Sequence, residues 1–436
     1  MDTDGGGSGT ATAMQHSSIL ENILPAATYR PIVIFCIGLW GWGLNLYLLN
    51  KQQVDPAQLL QIHPVEKNSP IHKPVFALAG IVTTIIICNV WWYWIAPWHW
   101  TPILCYVFAI LLILWPGKNL CRKERERFLR VLRRIVSFNL FSPVYFGDVI
   151  LADILTSFSN VFGDLFSTCC SATTEDNPCY RDVLVPLLIS LPYVIRLRQC
   201  LSEYIDSGGE CKRHLWNALK YASAFPVILI SASQKKADRW VAATGSVPST
   251  WWVSDTNLFR LWIIFVFFNS MYSFWWDISV DWNLINVATS SRTAMMTNHA
   301  HQHHYLHYTM PIVRFRRHLH FNDAGPYFAA MVIDLILRTT WSLKLSSHLY
   351  VKRLEGSIFM MELLEVIRRW VWVIFRMESE WVKRTLGTLP TDNATVLAMD
   401  TLGNSANSSS QSKLMPIREE EDDDDDDNDN GESTAK

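Results

Sequence analysis

Apolar runs of membrane-crossing length recur along this chain, near residues 31–50, 75–96, 101–116, 144–168, 181–200, 214–233, 256–276, 326–347 and 358–378. An α-helix needs about 17–25 such residues to cross a hydrocarbon core. A chain with so many of them can satisfy its backbone polar groups in lipid only as helices or as a closed barrel, and runs of this length suit helices. The spacing predicts an all-α fold, a polytopic membrane helical bundle of about 8–10 transmembrane helices. Composition agrees: 50% of the residues are hydrophobic and 18% are charged, below the roughly 25% usual in soluble domains.

The chain divides into four parts. Residues 1–30, rich in Gly, Ser and Thr, read as a disordered cytosolic N-terminus without the basic and apolar regions of a cleavable signal peptide. Residues 31–140 carry the first transmembrane helices and a basic interfacial helix, and 141–384 form the main transmembrane bundle. Residues 385–436, ending REEEDDDDDDNDNGESTAK, are too charged and too poor in apolar residues to fold, and read as a disordered acidic cytosolic tail. Residues 117–134 combine eight basic residues with a stripe of Leu120, Phe128, Leu129, Val131 and Leu132, the pattern of an amphipathic helix on the cytosolic leaflet. The basic stretches RLRQC, CKRH and RFRRH put the 200–213 and 286–325 loops, and with them both termini, in the cytosol. Lys235, Lys236 and Arg239 run against that scheme, since it makes 234–255 luminal. The luminal 169–180 loop would allow a disulfide among Cys169, Cys170 and Cys179.

The last apolar run, ELLEVIRRWVWVIFRMESEW at 362–381, holds charges that lipid alone would not tolerate. Glu362, Glu365, Arg369, Trp372 and Arg376 fall at offsets 0, 3, 7, 10 and 14, so they line one helix face. From Glu362 to Glu380 that helix rises roughly 27 Å, nearly the thickness of a hydrocarbon core. Other runs behave alike. Asp334, Arg338 and Trp341 share a face, with Lys344 near it. Asp153, Thr156 and Asn160 form a stripe beside Ser157, Ser159 and Asp164; His214, Asn217 and Tyr221 align next to Lys220; Asp277 and Asp281 stand one turn apart. Internal i,i+4 neutralisation accounts for some of these charges. The cations Lys220, Arg338, Arg368 and Arg369 exceed what that pairing requires, and guanidinium forks match tetrahedral oxyanions. A cationic path bordered by carboxylates points to an anion, with phosphate a good candidate.

The motifs GDVILADILTS, PYVIRLRQCLSEY, HLWNALKYAS, WWDISVDWNL, DLILRTTW and EVIRRWVWVIFRMESE make the chain similar to the EXS-domain family of phosphate exporters. Their order and spacing carry the resemblance from about 140 to 381. It implies inorganic phosphate bound at the bundle centre by Asp153, Thr156, Ser159, Lys220, Tyr221, Asp277, Arg338, Trp341, Arg368 and Arg369. Supporting or gating roles would fall to Arg196, Asp281, Asp334, Glu365 and Arg376. Thr156 stands where relatives carry Asn, and Ser202 and Glu203 stand where exporters often have two basic residues. Many family members carry a long N-terminal SPX domain, so the chain resembles the short Golgi branch tied to retention of ER and Golgi residents. That likeness implies a Golgi-membrane transporter returning luminal phosphate, a by-product of glycosylation, to the cytosol.

The remaining expectations are narrower. His299, His301, His303, His304 and His307 cluster in one stretch, without the further His boxes a membrane di-iron enzyme needs, and read as a polar cytosolic loop. No metal, cofactor, nucleic acid or covalent chemistry is expected. The partners are inorganic phosphate and membrane lipids, with a homodimer left open. The competing reading is a non-transporting sorting factor, whose acidic tail and basic loops bind glycosyltransferase tails or a vesicle coat.

Overall fold

The computed structural model describes residues 27–61, 70–98, 100–115, 117, 121–173, 178–245, 255–297, 303–321, 323–340 and 356–387. Helices occupy all nine places the apolar runs marked. They are α1 (Arg30–Lys51), a short α2 (Pro56–Leu59), α3 (His72–Ile95), α4 (Thr101–Leu114), α5 (Arg122–Val136), α6 (Phe146–Ser157) and α7 (Ser159–Thr173). After them come α8 (Pro178–Asp206), α9 (Lys212–Ala222), α10 (Ala224–Thr244), α11 (Asp255–Trp276), α12 (Gly325–Arg338) and α13 (Gly356–Gly387).

Among the described residues, five helical stretches are long and apolar enough to cross a membrane: Arg30–Lys51, His72–Ile95, Asp182–Asp206, Lys212–Thr244 and Thr256–Asp281. The pair Phe146–Ser157 and Ser159–Cys170, bent by 59°, makes a sixth. The other three anticipated runs also carry helices, the part of 326–347 beyond residue 340 lying outside the described residues. Helices α4 and α12 have 14 residues each, a rise of roughly 21 Å. Helix α13, at 32 residues, is long enough but carries its strip of charge.

One element lies outside the all-helical expectation. Strands β1 (Ile285–Thr297) and β2 (His303–Phe315) form an antiparallel hairpin within the segment read as a cytosolic loop. Its register pairs Ile285 with Phe315 and Thr297 with His303. His303, His304 and His307 therefore lie on a strand rather than in a loop, while His299 and His301 fall outside the described residues.

Helix α13 is the element around which the body packs. Trp372, Val373, Phe375 and Met377 join Leu49, Ile150, Ile278, Trp282 and Tyr327 in the largest apolar core. Higher on the same helix, Phe359 and Val366 pack with Ile34, Phe158 and Val161. Contact between α1 and α13 depends on Gly41, where an added Cβ would stand 1.8 Å from the Trp370 ring. Asn45 closes the same seam by donating to the Trp370 carbonyl at 3.1 Å. Outward faces are apolar, and Trp94, Trp98, Trp100 and Trp115 are exposed at the ends of α3 and α4, as in the aromatic belts of membrane interfaces.

The basic stretch forms α5 as expected. Arg125 turns inward and donates to the carbonyls of Leu112 (3.0 Å) and Gly117 (3.2 Å), satisfying the end of α4. Arg134 grips Asp148 with two 2.8 Å bonds at the start of α6. On the exposed side Arg122 donates to Glu126, and that bond holds the Glu126 carboxyl below its ordinary range. The disulfide anticipated among Cys169, Cys170 and Cys179 turns on the Cys179 side chain, which lies outside what is described. Arg239, one of the cations at odds with the orientation scheme, pairs with Asp182.

Candidate anion site

The helix face read from the 362–381 spacing turns inward, and four other elements bring charges to it. Arg368 and Arg369 are both buried on α13, where neighbouring positions on a helix point roughly 100° apart. They consequently serve different partners. Arg368 binds Glu365, approaches Asp334 at 3.4 Å and lies 3.7 Å from Asp277. Arg338, at the last turn of α12, binds Asp277 and reaches Asp334 at 2.9 Å. Lys220 of α9 stands 3.6 Å from Asp277 and 3.4 Å from Asp281. The structure thus knits Asp277, Asp281, Asp334, Lys220, Arg338 and Arg368 into one largely buried lattice, with Glu365 at its part-exposed edge.

Asp277 and Asp281 owe their placement to a local irregularity. The Trp282 amide bonds the Asp277 carbonyl at 2.8 Å and the Leu284 amide bonds that of Ile278 at 2.9 Å. These are wider turns than an α-helix makes, a π-type insertion of the sort found at functional sites. The widened turn lets both carboxylates face Lys220.

Arg369 is different. Its Nε donates to Ser157 Oγ at 2.8 Å and its Nη2 to Thr156 Oγ1 at 3.1 Å. Ser157 in turn donates to Glu365 at 3.0 Å, and Thr156 to the Asp153 carbonyl at 2.7 Å. The Arg369 guanidinium lies 4.7 Å over the Trp372 ring, a cation–π contact. Among the described residues no carboxylate comes within ion-pair distance of it. Among the described residues the indole nitrogens of Trp276 and Trp372 are likewise buried without a hydrogen-bond acceptor. An oxyanion would supply what these donors lack.

A second shell holds the first in place. Arg196 donates to Asp153 at 2.9 Å, to Gln199 at 2.6 Å and to the Tyr221 hydroxyl at 3.0 Å, and Tyr221 donates to Asp153 at 2.6 Å. Asp153 and Tyr221 are therefore committed to Arg196. Arg376 lies 3.8 Å from Asp281 and 3.6 Å from Glu380, continuing the strip one level down. Ser159 is buried at the start of α7 beside Tyr193. Trp341 lies outside the described residues.

Ser202 and Glu203, which stand where basic residues were expected, have local work. The Ser202 hydroxyl sits 2.7 Å and 2.9 Å from the carbonyls of Leu140 and Ser142, and Glu203 pairs with His214 at 3.0 Å.

Sequence reasoning missed Ser157 as a direct partner of Arg369, although it stands beside Thr156. It also missed the bond between Arg316 and Glu378. Arg316 makes two contacts to Glu378, at 2.7 and 2.6 Å, and Tyr327 and the His320 amide add bonds at 2.8 and 3.1 Å.

Comparison with known proteins follows the same ground. The chain is 28% identical over 394 residues to protein ERD1 homolog 1 of Schizosaccharomyces pombe, covering 83% of this chain and 94% of that protein. It is 26% identical to solute carrier family 53 member 1 of Mus musculus, over 78% of this chain and 47% of the relative. Against SPX and EXS domain-containing protein 1 of Dictyostelium discoideum it is 23% identical, covering 84% of this chain and 38% of the relative. The family profile described as EXS matches residues 26–382, which takes in every charged residue of the buried lattice, and this membrane chain belongs to the EXS family.

Proposed function

We propose that this chain carries inorganic phosphate through the membrane along the charged face of α13. The observation that supports this reading best is Arg369, a buried guanidinium held by two hydroxyls instead of a carboxylate. A buried cation without a counter-charge is costly unless a ligand supplies one. Beside it, each of Lys220, Arg338 and Arg368 already has a carboxylate partner. Those pairs position the cations and compete with the anion, which keeps phosphate from binding too tightly to leave. Phosphate enters by replacing carboxylate contacts at Arg338 and Arg368 and hydroxyl contacts at Arg369. The similarity to a protein named as a solute carrier supports transport over catalysis.

The finer reading is a Golgi exporter that moves luminal phosphate, released by glycosylation, to the cytosol, with both termini cytosolic. It contributes in this way to retention of glycosyltransferases and ER residents. The likeness to ERD1 homologues supports that branch. Purified protein in phosphate-loaded liposomes is the test. Wild type releases phosphate, whereas Arg338→Ala and Arg369→Ala release little. Undiminished flux in both variants overturns the site. No flux from any wild-type preparation, together with retained binding of glycosyltransferase tails, supports a sorting factor instead.

A further inference from the structure

Two turns before Arg369, on the same face of α13, Glu362 is 3% exposed, and among the described residues neither of its carboxylate oxygens has a hydrogen-bond partner. It sits between Phe359 and Val366, two residues of the apolar cluster formed with Ile34 of α1, Phe158 and Val161. The charged groups that act on it are Asp164 from α7 and Arg30 from α1. Asp164 in turn feels Lys235 of α10 and Arg30. One turn along α13, Glu365 is engaged by Arg368. The charges of α6 and α12, Asp153, Asp334 and Arg338, are engaged in the Arg196 network and the lattice already described.

An ionised carboxylate in that setting would have apolar walls, a second carboxylate nearby and no donor. Burying such a charge is so costly that the group takes up a proton instead. We propose that Glu362, with Asp164 beside it, is a proton-binding site at the mouth of the anion path, neutral while phosphate passes toward Arg369. This rests on the phosphate-transport reading for its role, but not for its chemistry. Ionised, Glu362 would repel the oncoming anion on the face that leads to Arg369. When a proton adds to one carboxylate oxygen, the repulsion disappears and that O–H becomes a donor to a phosphate oxygen. The proton returns to the same aqueous side when the path empties. Phosphate movement is then gated by acid on the Glu362 side of the membrane.

The experiment has two readouts on wild type and Glu362→Gln, a substitution of equal size that cannot ionise. In lipid nanodiscs near neutral pH, the infrared C=O stretch of a protonated carboxylic acid is expected in wild type and lost in the variant. In liposomes, wild-type phosphate flux rises as the Glu362 side is acidified, by up to about tenfold per pH unit, the limit for one titrating carboxyl. The variant is expected to hold the acid-level flux at every pH. Taking the ratio of the two removes the pH dependence that phosphate itself brings. Absence of the infrared band in wild type overturns the proposal, and so does a variant with the wild-type pH profile. A band that vanishes in the variant while wild type moves no phosphate supports the proton site and overturns the transport reading alone.

Discussion

Two ionic networks lie on the same helix, α13, and they are built on opposite plans. Toward its C-terminal end, Glu378 is completely buried and receives donors from Arg316, Tyr327 and the His320 amide. Arg316 also reaches the Trp282 carbonyl at 3.2 Å. The Glu378 carboxylate is filled there, with the Arg316 Nε left without an acceptor among the described residues, and the network pins the foot of the β-hairpin to α13. In the middle of the helix, the lattice around Arg368 and Arg369 does not close: Arg369 has hydroxyls only, and two indole nitrogens lack acceptors. Burial is similar in both places, so burial does not distinguish a structural ion pair from a ligand site. The distinction lies in the partner: Arg316 faces a carboxylate, whereas Arg369 faces two hydroxyls.

The comparison breaks most visibly at Arg316. Arg316→Ala strands the Glu378 carboxylate in the core, which costs about 3–5 kcal/mol. A large fall in melting temperature in detergent is expected, whereas the double variant Arg316→Met with Glu378→Leu recovers much of it. Arg369→Ala strands no carboxylate, so its melting temperature stays near wild type. Its phosphate affinity falls by roughly 10- to 100-fold, the equivalent of about 1.5–3 kcal/mol for charge-assisted bonds. Calorimetric titration with phosphate checks this. Equal losses of stability from both arginines would remove the contrast. Thr156→Val sharpens it, since only one of the two hydroxyls on Arg369 is removed. The expected cost is about 0.5–1.5 kcal/mol, or several-fold in affinity, in the same titration. The smallest effect belongs to Arg122→Ala on the exposed face of α5, where an i,i+4 pair contributes about 0.3–0.5 kcal/mol. That change leaves melting temperature and phosphate binding close to wild type.

Much of the open network could be read in the sequence. The offsets of Glu362, Glu365, Arg369 and Arg376 on one face survive in the structure because a long helix keeps its period over its whole length. The closed network could not be read that way. Glu378 lies off the strip, and its partner Arg316 comes from a segment whose basic residues suggested a cytosolic loop. The β-branched residues Ile285, Val287, Thr289, Thr293 and Thr297, all at alternate positions, are the signal that could have identified β1. Pro311 in β2 obscures it, because proline cannot donate to a ladder. Spacing likewise groups residues on one element but gives no pairings between elements. Asp153 and Tyr221 were placed among ligand groups, although Arg196, from a third helix, occupies them both.

The break between α6 and α7 at Phe158 has a consequence for the field inside the membrane. A continuous helix would keep its partial charges at its two ends, far from Arg369. Here the carbonyl end of α6, with its partial negative charge, terminates beside Thr156 and Ser157, where the Arg369 guanidinium rests. One residue later α7 begins, and its first amides carry partial positive charge at nearly the same depth. The 59° bend turns these two poles away from a common axis. A single chain break thus offers the cation its resting place and an anion its attraction within a few ångströms, as the broken helices of transporters do.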